Sequence, residues 1–200
     1  MFGKKKIFSF ICILFLFATN SYAYTNIPKD FINEVVNDAK EILDQPDSNI
    51  EKKMVKLSKI ATEVVDINGI GYYSLGKHRK NISVESLERY LDLFEKYFLK
   101  SFSSRLVVYT NPQIDVIGEE VLSPKYTIVN SILKATDDRP EVKIDWRVYT
   151  KNPDRILIRD VIIEGLSLAR TQKEEFNSVI ENNNGDIAKL FATLEEFISK

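Results

Sequence analysis

Cysteine and histidine are almost missing from this sequence, with Cys12 and His78 each occurring once among 200 residues. One cysteine cannot form an internal disulfide, and one of each cannot supply the three or four nitrogen and sulfur ligands of a zinc site. A Ser-His-Asp triad needs a histidine held by a carboxylate beside a serine. His78 instead sits in the cationic run Lys77-His78-Arg79-Lys80 and reads as a solvated residue. Glycine is scarce too. Gly69-Ile70-Gly71 is a lone G-x-G after a helical stretch rather than a strand, so it is not a phosphate cradle. Neither sign of charge dominates, at net −1, which gives no electrostatic reason to bind nucleic acid or to be held tightly by an anionic membrane. No apolar run approaches the roughly twenty residues of a membrane-spanning helix.

The longest apolar stretch, residues 7–18, follows Lys4, Lys5 and Lys6 and precedes Ser21-Tyr22-Ala23. A basic start, a short apolar middle and small residues before a cut are the pattern of a secretory signal peptide. Residues 1–23 are therefore expected to be such a leader, and 24–200 a single exported domain. The leader takes Cys12, three lysines and no acid with it, leaving 25 basic against 29 acidic residues and no thiol chemistry.

Helical spacing marks Phe31, Ile32, Val35, Val36, Ala39, Ile42 and Leu43, with Pro28 in the first turn. Gln45-Pro46-Asp47-Ser48 breaks it, and a second stripe runs through Ile50, Met54, Leu57, Ile60, Ala61, Val64 and Val65. Residues 66–76 read as a short helix leaving at Gly76, with Gly69, Gly71 and Gly76 as a candidate hinge. Ser83 is a good N-cap for the longest helix, 84–106. Its stripe (Leu87, Leu91, Phe94, Phe98, Phe102, widened by Tyr90, Leu93 and Tyr97) is broad enough to need two apolar surfaces.

After Thr110 the period becomes strand-like, giving strands at 113–122, 125–135, 141–150 and 155–163. Ser123-Pro124, Asp137-Asp138-Arg139-Pro140 and Asn152-Pro153-Asp154 read as hairpin turns between them. Val142, Ile144, Trp146 and Val148 alternate with Lys143, Asp145, Arg147 and Tyr149. The last strand is apolar on both faces, with Ile156, Ile158 and Ile162 on one and Leu157, Val161 and Ile163 on the other. Helices at 167–180 and 186–199 close the chain. Helices, then an antiparallel meander, then helices make an α+β domain. Aromatic residues are plentiful on the long helix and the sheet, which suits either an ordinary core or an apolar cavity. A pair of carboxylates brought together in space remains compatible with the sequence, though no particular pair is marked.

Asp145-Trp146-Arg147-Val148, followed by Arg159-Asp160-Val161-Ile162-Ile163-Glu164-Gly165-Leu166-Ser167-Leu168, resembles the signature region of the MlaC family of periplasmic phospholipid-binding proteins. Phe176 matches that family's aromatic in the following helix, and 185–190 resembles the start of its final helix. Ser74-Leu75-Gly76-Lys77-His78-Arg79 and the spacing of Phe94, Tyr97 and Phe98 fit upstream. Leu166 stands for the commoner valine, and His78 stands where an aromatic is frequent.

The resemblance implies helices wrapped on a curved four-stranded antiparallel sheet, cone-like, with an apolar pocket between sheet and helices. It implies no cofactor and no catalytic residue, with bound phospholipid as cargo. Sequestering two chains of about sixteen carbons avoids on the order of 25 kcal/mol of apolar exposure, at about 0.8 kcal/mol per methylene. The lining is expected from Phe94, Tyr97 and Phe98 on the long helix and Val142, Ile144, Trp146, Val148 and Ile158 on the sheet. Family partners are an inner-membrane MCE-type ABC transporter and an outer-membrane lipoprotein–porin complex, the setting of outer-membrane lipid asymmetry, and a monomer is expected. The competing readings are a small periplasmic enzyme on a similar scaffold and an interaction module without a cavity.

Overall fold

A computed structural model describes residues 24–46 and 49–200. The expected leader, 1–23, lies outside the described residues. Six helices are present among them: α1 (Pro28–Leu43), α2 (Ile50–Val64), α3 (Ile67–Ser74), α4 (Val84–Leu106), α5 (Leu168–Glu181) and α6 (Ile187–Ser199). A 3-10 turn, Gly76–Lys80, joins α3 to the approach of α4. Helix starts follow side-chain caps. Asn49, Asp66, Ser83, Ser167 and Asp186 each accept a hydrogen bond from a backbone N–H in the first turn of the helix they precede.

The strands are β1 (Ile114–Ser123), β2 (Tyr126–Leu133), β3 (Val142–Tyr149), β4 (Leu157–Ile163) and β5 (Leu166–Ser167), all antiparallel in the order β1-β2-β3-β4-β5. Four of these match expectation, and the fifth is the two-residue return of a tight hairpin. Glu164 and Gly165 have φ of 49° and 80°, the positive values that a two-residue type I′ turn requires at both positions.

Register assigns the faces. Thr127, Val129 and Ser131 oppose Val148, Trp146 and Ile144, so these six share one face. In β4 the pairing slips: Asp160 opposes Arg147, but Ile158 opposes Val148, leaving Arg159 as an extra residue. This bulge corrects the expected grouping of β4. Ile158, Val161 and Ile163 lie on the Trp146 face, and Asp160 and Ile162 lie on the other, because one inserted residue inverts the alternation beyond it.

Two main cores result. On the Trp146 face, Val129, Val148, Ile156 and Ile158 pack against Phe31, Ile32, Val35 and Val36 of α1 and Val64 of α2. The second core is helical, formed by Ile67 and Ile70 of α3, Tyr90, Leu93 and Phe94 of α4, Ala169, Phe176 and Ile180 of α5, and Leu190, Phe191 and Leu194 of α6. A small satellite of Ile42, Leu43 and Leu57 ties α1 to α2.

Candidate functional site

The helical core is built around aromatic rings. Phe94 is 1 % exposed, and Phe176 stands edge-on to both it and Tyr90, at 6.1 and 6.3 Å between centroids. Tyr97 and Phe98 are half-buried and extend this cluster along α4, with ring centroids 6.3 and 6.1 Å from that of Phe94. Such pairs add about 0.5–1.5 kcal/mol each beyond their burial. The Tyr90 hydroxyl donates to the Gly71 carbonyl at 3.0 Å, and burial pushes its pKa well above the ordinary tyrosine range. Tyr97, bonded to Gln172 at 2.9 Å, is also raised, chiefly by burial.

The glycines of α3 have packing reasons. A methyl group on Gly71 would lie 2.7 Å from the Phe94 ring, and one on Gly69 would overlap the Asp66 carboxylate that caps the helix. Gly76 has a φ of +54°. Close approach and a left-handed turn therefore account for all three positions.

The two cores meet at the junction of α2 and α3. Val65 packs against both and bridges Ile158 in parallel, and the Asp66 N–H donates to the Ile158 carbonyl at 2.9 Å. The β4 bulge supplies the side-chain half of this junction. Arg159 donates from Nε to Asp66 and from Nη1 to the Tyr126 hydroxyl at 3.1 Å, and lies 3.7 Å over the Tyr149 ring. Burial pulls the Arg159 pKa down, but the bonds to Tyr126 and Asp66 more than offset this and leave it raised.

Asp160 is 3 % exposed and organises the β4–β5–α5 corner. It accepts from the Ser167 hydroxyl at 2.6 Å, the Ala169 N–H at 3.0 Å and Arg147 Nη1 at 3.4 Å. An anion that bonds the first turn of a helix also offsets its dipole. The Arg147 side chain is partly exposed, but its Nε is buried without a partner. The D-V-I-I-E-G-L-S-L run thus has a physical reading. Asp160 reaches seven and nine residues ahead to a serine cap and a helix N–H, across a turn made by Glu164 and Gly165.

The match to known proteins follows this architecture. The family model described as MlaC protein matches residues 30–196. The chain belongs to the MlaC family. The toluene tolerance protein ttg2D of Pseudomonas putida is 22 % identical over 157 residues, which cover 78 % of this chain and 72 % of that protein. A solved phospholipid-binding protein of Ralstonia solanacearum, in complex with a phospholipid, superposes with a TM-score of 0.70 at 20 % identity, covering 84 % of this chain and 94 % of that one. The fold is therefore shared with that solved structure, with helices on an open antiparallel sheet.

The eight expected lining residues of this MlaC chain do not form a single wall in the structure. Phe94, Tyr97 and Phe98 belong to the helical core. Val148 and Ile158 belong to the core under α1, Trp146 borders it, and Ile144 is buried and Val142 half-buried farther along β3. The expected neighbour of the Trp146 face was α4, but α1 covers that face. Asp160 bonds α5 from the opposite face, while α4 packs against α2, α3 and α6. Trp146 Nε1 donates to Ser131 Oγ at 2.9 Å, which in turn donates to the Ile144 carbonyl.

Two hollows among the described residues lie elsewhere, edged mainly by polar and charged residues. One of about 540 Å3 is edged by Lys77, His78, Lys80 and Glu181; the other is edged by Lys40, Glu41 and Asp44. Among the described residues no group of His, Cys, Asp and Glu could hold a metal ion, and no helix is long and apolar enough to cross a membrane. Sequence reasoning missed Val65, Asp66 and Arg159 as a junction. Asp66 carried a signal, an acid just before a helix; its partner 93 residues away carried none.

Proposed function

We propose that this protein is a periplasmic phospholipid carrier, not an enzyme, whose cargo's acyl chains lodge between the two cores. Phe94, Tyr97 and Phe98 would line one wall, and Val142, Ile144, Trp146, Val148 and Ile158 the other. The observation that carries this reading is the whole-domain MlaC match, together with a fold shared with a protein solved around a phospholipid. The two-core arrangement supports it physically. Two apolar clusters that share Val65 and are tied across by the Arg159–Asp66 and Asp160–Ala169 bonds can part more easily than a single interdigitated core. The finer role is lipid exchange, as a monomer, between an outer-membrane lipoprotein–porin complex and an inner-membrane MCE-type ABC transporter. It also assumes a cleaved leader at 1–23.

Native mass spectrometry of protein purified from cells without detergent tests the cargo. The expected result is a bound mass of about 700–800 Da, the size of a two-chain phospholipid with the chains costed above, released on solvent extraction. Phe98→Gln or Trp146→Gln should remove that mass while the circular dichroism spectrum is retained. A clean unliganded mass from the unaltered protein would sink the carrier reading and favour an interaction module. Lipid retained by both folded variants would reject the lining alone.

A further inference from the structure

Residues 67–82 contain Lys77, Arg79, Lys80 and His78 and no acid, in a chain whose charge is otherwise mixed. The structure draws them into one patch with two exposed aromatics. The inner side of α3 (Ile67, Ile70, Gly71 and Ser74) is buried, which turns Tyr72 and Tyr73 outward at 45 % and 40 % exposure. Arg79 stacks over the Tyr72 ring at 5.1 Å, and Lys173, from α5, over the Tyr73 ring at 5.2 Å. Lys77 and Lys80 edge the 540 Å3 hollow beside them. Glu181 enters the patch through its 2.8 Å pair with Lys77, leaving Arg79, Lys80 and Lys173 as its excess cations. Tyrosines with an apolar ring and a wet hydroxyl, flanked by several basic side chains, suit the headgroup layer of an anionic bilayer.

We infer that the α3 surface, with Tyr72, Tyr73, Arg79, Lys80 and Lys173, docks this protein on anionic phospholipid membranes. The purpose rests on the carrier reading, since α3 begins at the Val65–Asp66 junction between the two cores and docking would bring that junction to the lipid surface. The contact itself needs only the patch. A weak, reversible attachment is what three cations and two tyrosines supply, and salt should disperse it.

Co-sedimentation with vesicles of phosphatidylcholine alone, and of equal parts phosphatidylglycerol and phosphatidylcholine, tests the inference. The unaltered protein should sediment with the anionic vesicles and be released by salt. The double variant Arg79→Gln, Lys80→Gln should bind roughly twenty-five-fold more weakly, about five-fold per charge. Tyr72→Ser should weaken binding on top of that, and Lys125→Gln with Lys134→Gln, just outside the two ends of β2, should leave it unchanged. Equal binding to the two vesicle types, no binding to either, or full binding by the Arg79, Lys80 variant overturns the proposal. So does capture by polyglutamate without capture by vesicles, which would make the patch a protein-docking surface. Protein that carries phospholipid but ignores vesicles rejects the patch and spares the carrier; protein that binds vesicles but carries no lipid does the reverse.

Discussion

Removing the Asp160 carboxylate should unravel the β4–β5–α5 corner. In the folded protein it accepts from Ser167 Oγ at 2.6 Å and the Ala169 N–H at 3.0 Å, and it faces Arg147 Nη1 at 3.4 Å. Asp160→Ala strands one buried N–H and takes the counter-charge from an arginine whose Nε already has no partner. Losing the two charge-assisted bonds from Ser167 and Ala169 costs about 3–5 kcal/mol together, the partly exposed Arg147 adding little, from a folding free energy of about 5–15 kcal/mol. The melting temperature should then fall by roughly 6–20 °C at about 2–4 °C per kcal/mol. Asp160→Asn keeps the shape and can still accept from Ala169, so it should cost less, about 1–2 kcal/mol. Urea unfolding of both variants and of Ser167→Ala, combined in a double-mutant cycle, should return a coupling of about 0.5–3 kcal/mol. If Asp160→Ala costs under about 1 kcal/mol, or if Asp160 and Ser167 prove additive, the corner is not organised as described.

Gly71→Ala should destabilise by about 1–2 kcal/mol, because crowding against Phe94 outweighs the helix-propensity gain; Phe94→Leu in the same chain should recover part of this in thermal melts. At alkaline pH the raised Tyr90 pKa gives a definite sign. Its contribution is complete below the unfolded value of 10.0 and is lost as pH rises above it, at up to about 1.4 kcal/mol per pH unit. Tyr90→Phe should flatten that limb of a pH–stability curve. Glu181 behaves oppositely. The hydrogen bond and charge of Lys77 lower its pKa below 4.5, so its small contribution is present above the unfolded value and lost as pH falls through the folded one. Lys77→Ala or added salt should remove that acid-side dependence in the same titration.

Helix starts and strand positions were legible because they depend on neighbours in sequence. Ser83 caps α4 where a serine before a periodic stripe predicted it, and Val142, Ile144, Trp146 and Val148 share a face as their alternation required. The resemblance at 159–168 was legible for the same reason, since Asp160, Glu164, Gly165 and Ser167 make one local corner. The β4 faces were misread because a bulge at Arg159 depends on how β4 pairs with β3, and nothing within β4 announces it. The candidate lining divided for a similar reason. The width of the α4 stripe showed that it needs two apolar surfaces but not which elements supply them.

The order of helices and strands, the absence of thiol chemistry from residues 24–200 and the family are all readable along the chain. Each of these is a property of residue type and short-range spacing. Packing between distant elements put α1, rather than α4, over the Trp146 face and set Arg159 against Asp66. It also decided that Tyr72 and Tyr73 stand among cations from two different helical segments. Those facts depend on contacts between residues far apart in the chain, and such contacts are chosen by the packing of whole elements, not by the pattern within any one of them.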